Sequence, residues 1–168
     1  MAMQPMTVLH DLLDANEHYA ETFHWGELLR EPRRGYAVVT CMDARIVPTH
    51  MLGIDYGDAN MLRNAGALVT DDILRSLVVS HHLLGTNQAI VIGHTDCGLS
   101  AFTDAEINQR IEAELGTSAD MAFHAFTSVD ESVVASVERI RSCDLLPGGY
   151  DSAGFVYDVR TGRLRQLV

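Results

Sequence analysis

The chain has 168 residues, 47% hydrophobic and 21% charged, which suits one domain built around one core. Its formal net charge is -11, and Arg supplies all 12 basic residues, so no basic face for nucleic acid or an anionic membrane is expected. No apolar run approaches the ~20 residues that span a bilayer, and Met1 to Thr7 lacks the basic start and apolar stretch of a secretory signal. Three cysteines are too few for a disulfide framework and fit reduced thiols or metal ligation in the cytoplasm.

In chain order, the spacing of Leu9, Leu12, Leu13 and Phe23 predicts a helix over Val8 to Phe23. Tyr36 to Thr40 reads as a buried strand, Asn60 to Arg63 as a second and the wholly apolar Ala89 to Gly93 as a third. A helix is expected between the last two, from Asp71 to Leu84, with acidic residues at its positive end and Gly85 as its C-terminal cap. Thr103-x-x-Glu106 is a capping box opening a helix that carries Ile107, Ile111 and Leu115. Residues 116–127 have no period and read as a loop. Ser128-x-x-Glu131 opens a further helix, expected to bury Val133, Val134, Val137 and Ile140. Gly154 to Asp158 is the fourth strand, and after a turn at Thr161-Gly162 an edge strand is expected over Leu164 to Leu167.

Alternating strands and helices without a linker or repeat predict a single α/β domain over 1–168. The expected architecture has three layers: a central, mostly parallel β-sheet in order 2-1-3-4, the last strand antiparallel, with helices on its flanks.

Two clusters carry chemistry. Cys41-Met42-Asp43-Ala44-Arg45 follows the first strand, and His94-Thr95-Asp96-Cys97-Gly98 follows the third. In open α/β sheets ligands collect at the carboxyl ends of strands where the strand order reverses. If the second strand flanks the first on one side and the third on the other, both clusters overhang that reversal.

Two thiolates and an imidazole make a good shell for Zn2+ and leave a fourth tetrahedral position open, as catalytic zinc sites do. Asp43 is also able to supply the fourth ligand and close the shell, while Arg45 competes for the same carboxylate as a bidentate partner. Asp on zinc is then a closed site, and Asp on Arg an open one. Zinc held by two thiolates is a weak acid, so turnover should favour alkaline pH.

C-x-D-x-R after one strand and H-x-x-C-G after a later one resemble the short branch of the β-class carbonic anhydrases. The similarity extends to Arg63-Asn64-Ala65-Gly66 after the second strand. The resemblance implies zinc on Cys41, His94 and Cys97, an Asp43–Arg45 catalytic pair, and reversible hydration of carbon dioxide to bicarbonate and a proton. It also implies a homodimer or homotetramer, with residues 1–34 as a helical arm packing on a partner subunit. One departure concerns the Gln that plant-type members carry before the first strand, because residues 24–40 contain none. Relatives that hydrolyse carbonyl sulfide or carbon disulfide share the motif.

Other readings use fewer of these residues. A thiol-nucleophile enzyme with Cys41 attacking leaves Cys97 and His94 idle. A non-catalytic zinc sensor shares the ligands but needs no open position. Cys143 reads as a packing thiol, His81 and His82 as helix-face residues, Arg63 and Asn64 as loop braces, and Asp96 as a cap or a hydrogen-bonding partner of outer groups. His50 lies close enough to the first motif to shuttle protons but is more simply a solvated residue.

Overall fold

The computed structural model describes residues 7–168, with side chains from residue 9 onward. Ten regular elements follow one another: α1 (Thr7–Thr22), β1 (Tyr36–Cys41), α2 (Pro48–Leu52), β2 (Asn60–Asn64), α3 (Asp71–Leu84), β3 (Gln88–His94), α4 (Asp104–Leu115), α5 (Val129–Arg141), β4 (Asp151–Tyr157) and β5 (Leu164–Gln166). The strands form one sheet in the order β2-β1-β3-β4-β5. The first four are parallel, and the antiparallel member is the edge strand β5 rather than β4. Among the described residues no helix is long and apolar enough to cross a membrane.

Parallel strands covered on both faces need apolar residues at successive positions, not alternate ones. Ala37, Val38 and Val39 in β1 meet that demand, as do Val91 and Ile92 in β3, and all five are fully buried. Helices α3 and α5 supply Leu77, Val133, Val137 and Ile140 to one core cluster with Ala37, Val39 and Val91. Val134, expected in that core, is only half-buried because it lies off the stripe that faces the sheet.

Glycine sets how closely α5 approaches. A Cβ on Gly93 or on Gly154 would lie 2.7 Å from a methyl group of Val133, too close to tolerate without a shift. The two adjacent strands therefore leave a seat for one valine of the helix above them.

Each later helix is closed by the groups its sequence offered. Thr70 accepts from the amide of Ile73, Thr103 and Glu106 form the reciprocal capping box, and Ser128 accepts from Glu131. Gly85 ends α3 in the left-handed region at φ 73. The five-residue α2, begun at Pro48, was too short to show a period.

Two apolar stripes find less cover. Leu9, Leu12 and Leu13 on α1 are 58%, 60% and 66% exposed. On α4, Ile107 and Ile111 are half-buried and Leu115 is exposed. Residues 116–127 hold no helix or strand, as expected, yet they are pinned: Asp104 accepts from the amides of Phe123, His124 and Ala125 at 2.9, 3.2 and 2.8 Å.

Candidate metal centre

Strand register brings the two clusters together. Thr40 pairs with Ile92, so Cys41 at the end of β1 lies one step from Gly93 and His94 at the end of β3. β2 flanks β1 on the other side, which makes the β1/β3 boundary the point where strand order reverses. Cys41, His94 and Cys97 are all buried, and one ligand atom from each lies within 4.8 Å of the others.

The donor chemistry of this cluster fits zinc. His94 Nδ1 donates to the main-chain oxygen of Thr95 at 2.9 Å, which leaves Nε2 as the lone-pair nitrogen. That Nε2 is buried and has no hydrogen-bond partner among the described residues. Such an orphan is costly unless something coordinates it. Both thiols are free. A hydrogen bond from Cys97 holds the Cys41 thiol far below its ordinary value, to about 3, with His94 and the Gly66 amide adding to the effect against burial. Cys97 moves the opposite way, because it shares a proton with Cys41 and is itself buried. Burial works to depress the pKa of His94, but Cys41, the Thr95 main-chain oxygen and Asp43 together raise it.

Asp43 stands beside the cluster and does not complete it. Its Oδ1 accepts from Arg45 Nε at 3.0 Å and from the Arg45 amide at 2.9 Å, and its Oδ2 accepts from Nη2 at 2.8 Å. These bonds hold its carboxyl well below the usual carboxylate range. Oδ2 is 3.9 Å from the orphaned His94 Nε2. Arg45 is raised in turn, first by Asp43 and then by Asp96.

Surrounding residues brace this arrangement. Arg63 donates to the main-chain oxygens of Cys41 and Asp43, both at 2.9 Å. Asn64 exchanges two hydrogen bonds with Leu68 across the turn at Ala65–Ala67. Both act as the loop braces read from the sequence. The Gly66 amide lies 3.4 Å from Cys41 Sγ. His81 meets the main-chain oxygen of Thr86, and His82 that of Leu145, so neither belongs to the site. His50 is exposed on α2, and Cys143 packs against the main core.

Several contributors carried no sequence signal. Thr95 orients the imidazole through its main chain, which any residue type can do. Leu99, Phe126 and Tyr157 pack around Cys41, Ile46, Ala67 and Cys97, although Phe126 comes from a stretch without period. Gly66 alone offered a hint: a Cβ there would lie 2.8 Å from Phe126 and 2.9 Å from Leu99, at φ 82.

The opening above the thiols is small, about 240 Å3, and is lined by Met42, Asp43, Gly66 and Leu99 with the two cysteines. It suits a substrate of a few atoms. A larger concavity of about 540 Å3 at the β4–β5 hairpin holds none of these groups.

A two-thiol, one-imidazole metal shell at the switch point of a mostly parallel sheet, with a carboxylate held just outside it, defines a zinc enzyme acting on a small molecule. Residues 36–132 match the family model described as carbonic anhydrase. The β-carbonic anhydrase 1 of Mycobacterium tuberculosis is 41% identical over 96% of this chain and 99% of its own. A crystal structure of carbonic anhydrase from Streptococcus mutans superposes with a TM-score of 0.93 at 38% identity, covering 98% of this chain and 100% of that one. A carbon disulfide hydrolase of Acidianus is 35% identical over 77% of this chain and 75% of its own. The chain belongs to the β-class carbonic anhydrase family, and Cys41, His94 and Cys97 form the zinc site typical of it. It is a zinc lyase.

Proposed function

We propose that this carbonic anhydrase takes carbon dioxide rather than carbon disulfide as its substrate, with Asp43 and Arg45 as its catalytic pair. The observation that carries the roles is the Asp43 carboxylate fixed by three hydrogen bonds from Arg45, with Oδ2 3.9 Å from the orphaned His94 Nε2. The substrate reading is supported by higher identity to a carbonic anhydrase, 41% over 96% of this chain, than to carbon disulfide hydrolases, 35% over 77% and 29% over 95%.

Cys41, His94 and Cys97 would hold the zinc beside the opening that the two cysteines line. Zinc bound there supplies a Lewis acid and hydroxide near neutral pH, and charge donated by two thiolates delays that ionisation toward alkaline pH. Asp43, kept ionised by Arg45, can only accept hydrogen bonds. It would take one from the nucleophile's hydroxyl and aim the lone pair at the carbon of the substrate. Arg45 holds Asp43 out of the metal shell, where the carboxylate would otherwise block the reaction. Residues 24–40 hold no Gln, so orientation of the substrate falls to these groups and to Leu99 at the wall of the opening.

The exposed stripe of α1 supports a second element of the reading. Leucines more than half exposed on one face of α1 (Thr7–Thr22) support the reading of an arm over residues 1–34, of which 1–6 lie outside the described residues, that packs on a partner subunit in a homodimer or homotetramer. The free thiols suit a reducing compartment such as the cytoplasm.

Stopped-flow hydration of carbon dioxide between about pH 6.5 and 9, with carbon disulfide and carbonyl sulfide assayed alongside, tests the substrate. Wild type is expected to carry one zinc per chain, and Cys41→Ser or Cys97→Ser to lose it. Asp43→Ala should keep the zinc and lose about 100-fold in kcat, the scale of one positioned acid–base group. Full activity in Asp43→Ala, or sulfide release without carbon dioxide hydration, would refute the assignment.

A further inference from the structure

Arg45 has a second anionic neighbour, and the catalytic pair described above makes no use of it. Its Nη1 donates to Asp96 Oδ2 at 2.8 Å, and its Nη2, already on Asp43, also donates to the main-chain oxygen of Asp96 at 2.9 Å. One edge of the guanidinium, Nε and Nη2, therefore faces Asp43, and the adjoining edge, Nη1 and Nη2, faces Asp96.

The backbone is shaped for this contact. Asp96 stands between His94 and Cys97 with φ 56, in the left-handed region that few non-glycine residues enter. Asp and Asn are among those few. In that conformation its carbonyl and its carboxylate both reach the same arginine.

Arg45 needs such a contact. Its side chain is 46% exposed, and Asp43 alone engages only one edge of the guanidinium, leaving Nη1 without a partner. A planar guanidinium engaged at all three nitrogens is fixed in tilt and in rotation. We propose that Asp96 is a positioning residue: it clamps Arg45 so that Arg45 keeps Asp43 outside the metal shell and aimed at the nucleophile. The same contact ties the loop after β3 to the loop after β1. The proposal rests on the reading of Asp43 and Arg45 as the catalytic pair.

Two variants separate this role from that of a turn former. Asp96→Gly keeps the left-handed backbone and removes the carboxylate; Asp96→Asn keeps the backbone and an acceptor oxygen but removes the charge. Each is compared with wild type as the zinc-loaded full chain. The first readout is the 15N NMR signature of the Arg45 side chain. Wild type should show restricted rotation, with resolved and slowly exchanging Nη protons, and Asp96→Gly should average them. The second is carbon dioxide hydration, in which Asp96→Gly should lose about five-fold in kcat, the scale of one exposed ion pair, with KM unchanged. Asp96→Asn should recover most of that loss, and zinc should stay at one per chain in both.

Unchanged Arg45 resonances in Asp96→Gly would overturn the proposal, as would loss of zinc from both variants, which would make Asp96 a structural residue. Failure of the functional reading looks different: wild type itself would not turn over carbon dioxide, while the Arg45 resonances would still judge the clamp.

Discussion

Helix α5 lays Val133, Val137 and Ile140 on the sheet, where all three are buried, whereas α1 presents Leu9, Leu12 and Leu13 more than half exposed. Both helices carry an apolar stripe at helical spacing. What differs is the surface opposite. α5 has a seat prepared by Gly93 and Gly154, two strand positions where a side chain would collide with Val133. α1 precedes the sheet, and nothing in its own sequence names the surface that covers it. A periodic stripe records that a face needs covering but is silent about where the cover comes from.

The largest effect should come from cutting into the covered stripe. Ile140 is 1% exposed, so Ile140→Ala is expected to cost about 3 kcal/mol, measured by urea unfolding at fixed protein concentration. Leu12→Ala on α1 should change the stability of a single chain by less than about 0.5 kcal/mol, as an exposed position does. If α1 packs on a partner, the Leu12 variant should instead weaken self-association in sedimentation and make the unfolding midpoint more dependent on protein concentration. A large loss for Leu12→Ala in the isolated monomer would break the comparison.

The next effect lies on the seat itself. Gly154→Ala forces a Cβ to within 2.7 Å of Val133 and 3.1 Å of Val137. It should cost about 1–3 kcal/mol as overpacking. Combining it with Val133→Ala, which removes the colliding methyl groups, should cost less than the sum of the two single changes. Strict additivity would show that the glycine serves the backbone and not the helix seat.

The same distinction separates what was legible in the sequence from what was not. The strands and the two clusters at their ends could be read from local apolar runs and motifs, and the joining of Cys41 with His94 and Cys97 from the resemblance those motifs carry. Thr103, Ser128 and Gly85 marked helix ends because capping is a matter of a few neighbouring residues. Phe126 could not be placed, since its stretch has no period and its anchor, Asp104, lies far upstream in the chain. Thr95 was hidden for another reason: it works through its main chain, which leaves no trace in residue type. The contact from Asp96 to Arg45 joins two loops, and neither loop's own sequence announces it.

Asp104 is a third way of holding a segment, neither buried stripe nor exposed one, and it yields the smallest expected effect. The amide of Ala125 first, and then those of Phe123 and His124, hold its carboxyl below the usual carboxylate range. A folded-state pKa below the unfolded one means the unfolded chain binds the extra proton first. The contribution is therefore complete above about pH 4 and is lost as pH falls through the folded value. Asp104→Asn keeps an oxygen for the amides but nothing to titrate, so its stability should fall less steeply on acidification than that of wild type. Amide exchange at 123–125 should quicken in wild type over the same interval and stay flat in the variant. Because Asp104 is partly exposed, the difference should be small. It nonetheless reaches the metal centre, since the loop it pins carries Phe126 against Leu99 and Gly66 at the wall of the opening. Parallel acid profiles for the two proteins would mean that apolar contacts of Phe126, and not the carboxylate, hold the loop in place.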